Sequence, residues 1–136
     1  MAALTNVRNT PIQDPSRAVR LLFPMKGSTT VFGGSLCVLA SGLLQPGSTA
    51  TGLTAAGIAA RTVTNSGADG SVFAEVIAGV GKFINSGGDL VVQADEGLNC
   101  YITDDQTVNH TSTGKSVAGK VVLVDTDGVW VNVSVY

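Results

Sequence analysis

Few residues in this chain have the types and spacing that could do chemistry. Gly114-Lys115-Ser116 has the ending of a phosphate-binding loop, where backbone amides and a lysine cradle phosphates. That loop needs a glycine five residues before its second glycine, and Asn109 stands there; a strand pattern follows where a helix is required. Asp125-Thr126-Asp127-Gly128 opens like a calcium loop but has no distal glutamate before Tyr136. Asp104-Asp105 and Asp95-Glu96 are two carboxylate pairs, but neighbours on extended chain point to opposite faces and read as solvated turn residues. His110 is the only histidine, set among Asn109, Thr111 and Ser112 as in an exposed loop. Cys37 and Cys100 form no metal-ligand pattern or disulfide framework and read as buried thiols. No Ser/His/acid or Cys/His set can be assigned. The expectation is a non-enzyme with no catalytic residues, cofactor or metal.

The elements that would position these residues are short strands. Turn clusters rich in glycine, such as Ser41-Gly42, Pro46-Gly47, Asn65-Ser66-Gly67 and Ser86-Gly87-Gly88, separate apolar runs at the spacing of a sandwich or barrel. Strands are predicted over 29–32, 36–40, 57–60, 71–78, 81–85, 99–103, 107–108, 118–125 and 129–135, with at most one helical turn at 94–97. The strongest local signal is a hairpin turning at Asp127-Gly128, which pairs Val124 with Val131 and Val122 with Val133 on a valine face. Residues 1–30 differ: Pro11, Pro15 and Pro24 punctuate them, and only 18–23 has strand-like content. The expected fold is all-β, a compact β-barrel or β-sandwich over 31–136 with an extended N-terminal arm over 1–30. Ordering such an arm costs roughly 1–2 kcal/mol per residue, so it is expected to be mobile in free protein and to order against a neighbour.

Composition bears on partners. Charged residues make up 13% of the 136, against roughly 25% in a typical domain, so the surface is weakly hydrated and suits burial by partners. The net charge of −2 argues against nucleic acid as the main partner. Residues up to Lys26 carry a net +3 and the remainder −5, a basic leader on an acidic body. The longest apolar stretch, 31–44, is too interrupted to span a membrane, and no signal peptide precedes it, so synthesis in a cytoplasm is expected. The sequons at Asn109 and Asn132 then carry no weight.

Collinear segments resemble a family of small tailed-phage capsid cement, or head-decoration, proteins. They are Val31-Phe32-Gly33-Gly34-Ser35-Leu36, Thr51-Gly52-Leu53-Thr54-Ala55-Ala56-Gly57, Asn65-Ser66-Gly67-Ala68-Asp69-Gly70 and Gly81-Lys82-Phe83-Ile84-Asn85-Ser86. The most specific is Cys100-Tyr101-Ile102-Thr103-Asp104-Asp105-Gln106-Thr107-Val108, followed by Ala118-Gly119-Lys120-Val121 and Gly128-Val129-Trp130-Val131. The resemblance implies a β-body on the outer capsid surface of the virion, often a homotrimer, clamping major capsid protein subunits. The arm would then contact the shell by charge through Arg8, Arg17 and Arg20 and by strand pairing through Leu21, Leu22 and Phe23. One departure stands out: Phe73-Ala74-Glu75-Val76-Ile77-Ala78 is apolar where relatives carry several arginines, which favours subunit–subunit packing there. Two other readings remain open, a tail, fibre or baseplate β-module and a carbohydrate-binding β-sandwich, the latter short of stacking aromatics.

Overall fold

The computed structural model describes residues 2–13 and 19–135. The fold is all-β, as expected, with one 3-10 turn, Gln93–Asp95, among the described residues. The strands are β1 Ile12–Gln13, β2 Val19–Pro24, β3 Thr29–Val31, β4 Leu36–Ala40, β5 Leu43–Pro46, β6 Thr54–Ala59, β7 Val63–Asn65, β8 Phe73–Asn85, β9 Asn99–Ile102, β10 Thr107–Asn109, β11 Val117–Asp125 and β12 Gly128–Val133.

β8 organises the molecule. Its C-terminal half closes a five-stranded barrel: β8 pairs with β12, β12 with β11, β11 with β9 and β9 with β10, and β10 returns to β8 in parallel at Thr107↔Ile84. Its N-terminal half is shared by a second sheet in the order β2-β8-β6-β4-β5. That sheet curls until Met25, just past β2, bridges Leu44 of β5. Two cores result, and β4 and β6 line both: Leu36, Val38, Ala55 and Ile58 join the barrel core, Cys37, Ala56 and Ala59 the second. Phe83, Ile102, Val108, Val121, Val129, Val131 and Val133 fill the barrel. Met25, Val31, Cys37, Leu44 and Val76 fill the second. Strand alternation explains the partition in the N-terminal half of β8: Ala74, Val76 and Ala78 turn inward, while Phe73, Glu75 and Ile77 turn outward.

Three local expectations are corrected. The runs 71–78 and 81–85 join in one strand, because β12 pairs across the break at Val133↔Gly79 and Asn132↔Val80. The last hairpin turns at Thr126-Asp127, one residue early. Asp125 pairs with Gly128, Val124 with Val129, and Val121 with Val131, with Val122 extruded at a bulge and exposed. The Asp125 carboxylate shapes that turn by accepting the Asp127 N–H at 3.1 Å. Gly128 is outside the left-handed region; it is needed because a Cβ there would lie 2.8 Å from the Phe83 carbonyl oxygen.

The third correction concerns the arm. It is extended, but it lies on its own body. β1 pairs with β8 at Gly81 and Val80, and β2 continues along the same strand from Ala78 to Phe73. Leu21 and Phe23 pack against the second core, and Met25 is 0% exposed within it. The Met25 carbonyl accepts bonds from Asn65 Nδ2 at 3.0 Å and Gly70 N at 2.8 Å. Spacing of two residues puts Leu21, Phe23 and Met25 on one strand face, which an apolar count over the whole arm conceals. Residues 19–30 therefore belong to the folded unit, and a body beginning at residue 31 would lack part of its core.

Candidate functional site

The residues with chemical potential are engaged in holding loops. Lys115 Nζ reaches Thr49 Oγ1 at 3.4 Å, and Ser116 Oγ donates to the Ala50 carbonyl at 2.6 Å while accepting the Leu53 N–H at 3.0 Å. This stretch ties residues 49–53 to the start of β11, with strand following rather than helix. The carboxylate pairs do not converge, and two members are buried rather than solvated as expected. Asp105 is buried and accepts the Leu4 N–H at 2.8 Å; its burial pushes the carboxyl pKa up. Asp95 accepts the Val92 N–H and meets His110 Nδ1, both at 2.9 Å. Those contacts, the Val92 bond foremost, hold its pKa below the usual carboxylate range. Asp89 is held low by Asn109 Nδ2 at 2.7 Å and by Thr111 N at 2.8 Å. His110 thus closes a loop network in an otherwise exposed setting. Among the described residues no three His, Cys, Asp or Glu side chains gather as a metal site.

Both cysteines are free and buried, Cys37 in the second core and Cys100 in the barrel, and burial pushes each thiol pKa up to about 12. Trp130 is bound within its hairpin region: Nε1 donates to Asp125 at 3.1 Å, and Lys82 Nζ lies 5.7 Å from a ring centroid while pairing with Asp125 and Asp127.

The arm residues expected to make contacts divide by strand face. Arg8 is half-buried and faces its own barrel, donating to Thr10 Oγ1 at 2.7 Å and the Lys82 carbonyl at 2.8 Å, with its guanidinium 5.5 Å from the Phe83 ring centroid. Arg17 lies outside the described residues. Leu21 and Phe23 face the core, whereas Arg20 and Leu22 face outward. Register sets the outward arm residues against the 73–78 segment: Arg20 stands opposite Ile77, Leu22 opposite Glu75, and Pro24 opposite Phe73. Leu22 and Phe73 are diagonal neighbours, 66% and 59% exposed. Arg20 and Arg61 both reach Glu75 Oε1, at 2.9 and 3.6 Å. Beyond Ile77 this apolar shelf runs into a groove of about 370 Å³ between residues 7–12 and β6, lined by Val7, Ile12, Ile58 and Ala60. Alternation along Phe73–Ala78 was the available signal, but which face β2 would leave bare depended on long-range pairing.

No protein-family model, curated protein or solved structure matches the chain.

Proposed function

We propose that this chain is a structural protein of a tailed-phage head, seated on the outer surface of the shell, where it braces contacts between major capsid subunits and associates with copies of itself. The observation that carries the reading is the collinear set of capsid-cement-like segments, which runs from Val31 to Val131. The geometry is compatible with it. The carboxylates, His110 and Lys115 are spent on loop bonds, while Leu22 and Phe73 stand exposed on the outer face of the β2/β8 pair. Such a protein works by burying interface: several modest contacts per assembly add through effective concentration and raise the cost of shell rupture. No metal, cofactor, nucleic acid or membrane has a part in this reading. The carbohydrate-binding alternative loses its best platform, because Trp130 is held by Asp125 and Lys82.

The test is co-sedimentation of purified protein with shells assembled without it, followed by heating of bare and decorated shells. Saturable binding and a higher rupture temperature are expected; failure to bind would reject the proposal. Immunogold labelling of virions separates head from tail, and label confined to tails would transfer the chain to the tail-module class.

A further inference from the structure

We propose that the groove between residues 53–55 and the strands β9, β11 and β12 binds a sugar carboxylate, a uronate, with Lys120 taking the carboxylate and Asn99 and Asn132 the neighbouring hydroxyls. The inference goes beyond the shell role above and does not depend on it.

Register builds the polar side of the groove. Lys120 of β11 stands opposite Asn99 of β9 on one side and opposite Asn132 of β12 on the other. All three are exposed, so they form a row across three adjacent strands, about 10 Å from end to end. β11 breaks register on both sides of Lys120, between Val117 and Gly119 against β9 and between Val121 and Leu123 against β12. Such bulges re-aim the side chains beside them. At Gly119 a Cβ would overlap the Asn132 carbonyl oxygen, so only glycine lets β12 come this close. Leu53, Ala55 and Val117 add apolar lining, and the groove encloses about 370 Å³, a size found in small-molecule sites.

The chemistry of the row selects the ligand. Lys82 pairs with Asp125 and Asp127, and Arg20 and Arg61 pair with Glu75. Lys120 has no carboxylate partner among the described residues, and no acidic side chain lines the groove. Its ammonium is free to take one negative charge. The two amides beside it each offer donors and an acceptor, which suits a hydroxyl, itself donor and acceptor. Inorganic phosphate fits less well, because a single lysine leaves part of its charge unmet and the amide oxygens would face its oxygens. An acidic peptide also fits less well: β9, β11 and β12 are each paired on both sides, so no strand edge is open to its main chain. A uronate has one carboxylate, adjacent hydroxyls and a C–H ring face for Leu53 and Val117. This mode needs no stacking ring, so the engagement of Trp130 leaves it intact.

Titration of the isotope-labelled chain, followed by amide chemical shifts, tests this. The probes are galacturonate, glucuronate, galactose, glucose, tri-galacturonate, inorganic phosphate and poly-glutamate. At least one uronate should give saturable shifts centred on Leu53, Asn99, Lys120 and Asn132, and its neutral sugar should bind about tenfold more weakly. Lys120→Gln should weaken uronate binding about tenfold and erase the preference over the neutral sugar, and Asn132→Ala should weaken it about threefold. Both positions are exposed, so the variants should melt as wild type does. Tighter binding of tri-galacturonate than of the monomer would identify a unit of an acidic polysaccharide, and equal binding a free sugar acid; both support the site. The proposal is overturned by the absence of saturable shifts with either uronate, by shifts centred elsewhere, or by undiminished binding in Lys120→Gln. Tighter binding of phosphate or poly-glutamate at the same residues would overturn it too.

Discussion

Met25→Ala measures how far the N-terminal arm belongs to the fold. Met25 is fully buried among Val31, Leu44, Ala59 and Val76, and it bridges β5 just past the end of β2. Its carbonyl bonds to Asn65 and Gly70 are main-chain contacts that the substitution leaves in place. What is lost is the thioether side chain and the space it fills, a change that costs about 2–5 kcal/mol in packed cores. A value of about 3 kcal/mol, with an unfolding entropy of about 0.29 kcal/mol/K for a chain this long, lowers the melting temperature by roughly 10 °C. Leu22→Ala, on the outward face of the same arm, should stay within about 0.5 kcal/mol of wild type. Urea unfolding followed by circular dichroism gives both numbers, provided the denaturant slope is unchanged. A Met25→Ala cost below about 1 kcal/mol, or equal costs at the two positions, would show that the arm is docked loosely and that the body folds without it.

Two further outcomes follow from single contacts. Burial raises the Asp105 pKa, so its contribution to stability is present below the ordinary carboxylate value of about 4 and is lost as pH rises through the folded value. Thermal melts of Asp105→Asn, whose amide oxygen can still accept the Leu4 N–H, should therefore shift in the variant's favour relative to wild type as pH rises above about 4, and a constant difference would refute this. Gly128→Ala forces a Cβ against the Phe83 carbonyl and the Lys82 stem, and should cost on the order of 1–3 kcal/mol; an unchanged melting temperature would mean that β12 and β8 can part at no cost.

Local chemistry made the strand content legible, and pairing made the rest illegible. The expected strand 36–40 coincides with β4, and the expected turn forms at Ser41-Gly42, where both residues adopt left-handed backbone, as a two-residue hairpin requires. Its partner β5 was missed because Leu43–Pro46 is short and ends in proline. At β8 the break expected at Gly79-Val80 is paired strand, because β12 lies across it, a long-range pairing that local composition does not reveal. In the last hairpin, Asp127-Gly128 is a strong turn signal, yet Asp125 bonds the Asp127 N–H and Gly128 is claimed by contact with β8, so the turn forms one residue earlier. The shelf is half legible: Leu22 and Phe73 each belong to an expected contact segment, but the β2–β8 register alone makes them neighbours, and Arg61 joins them through its reach to Glu75.

β8 implies one more measurable property. It passes through both cores, pairing with β6 and β2 in its N-terminal half and with β12, β1 and β10 beyond them. β4 and β6 also face both cores, Leu36, Val38, Ala55 and Ile58 in one and Cys37, Ala56 and Ala59 in the other, so the two should be lost together although they share no buried side chain. The cysteines report this without added probes. Cys37 lies in one core and Cys100 in the other, and burial, with each pKa pushed up to about 12, keeps both thiols unreactive in the native state at neutral pH. Pulse alkylation across a urea series, read separately for the two cysteine peptides by mass spectrometry, should give coincident midpoints that also match the loss of strand signal. Earlier labelling of Cys37 would show that the sheet bearing β2 and the shelf opens as a separate unit. A shelf that opened independently would be a poor load-bearing surface, so coincidence of the two thiols is also a condition on the mechanical role.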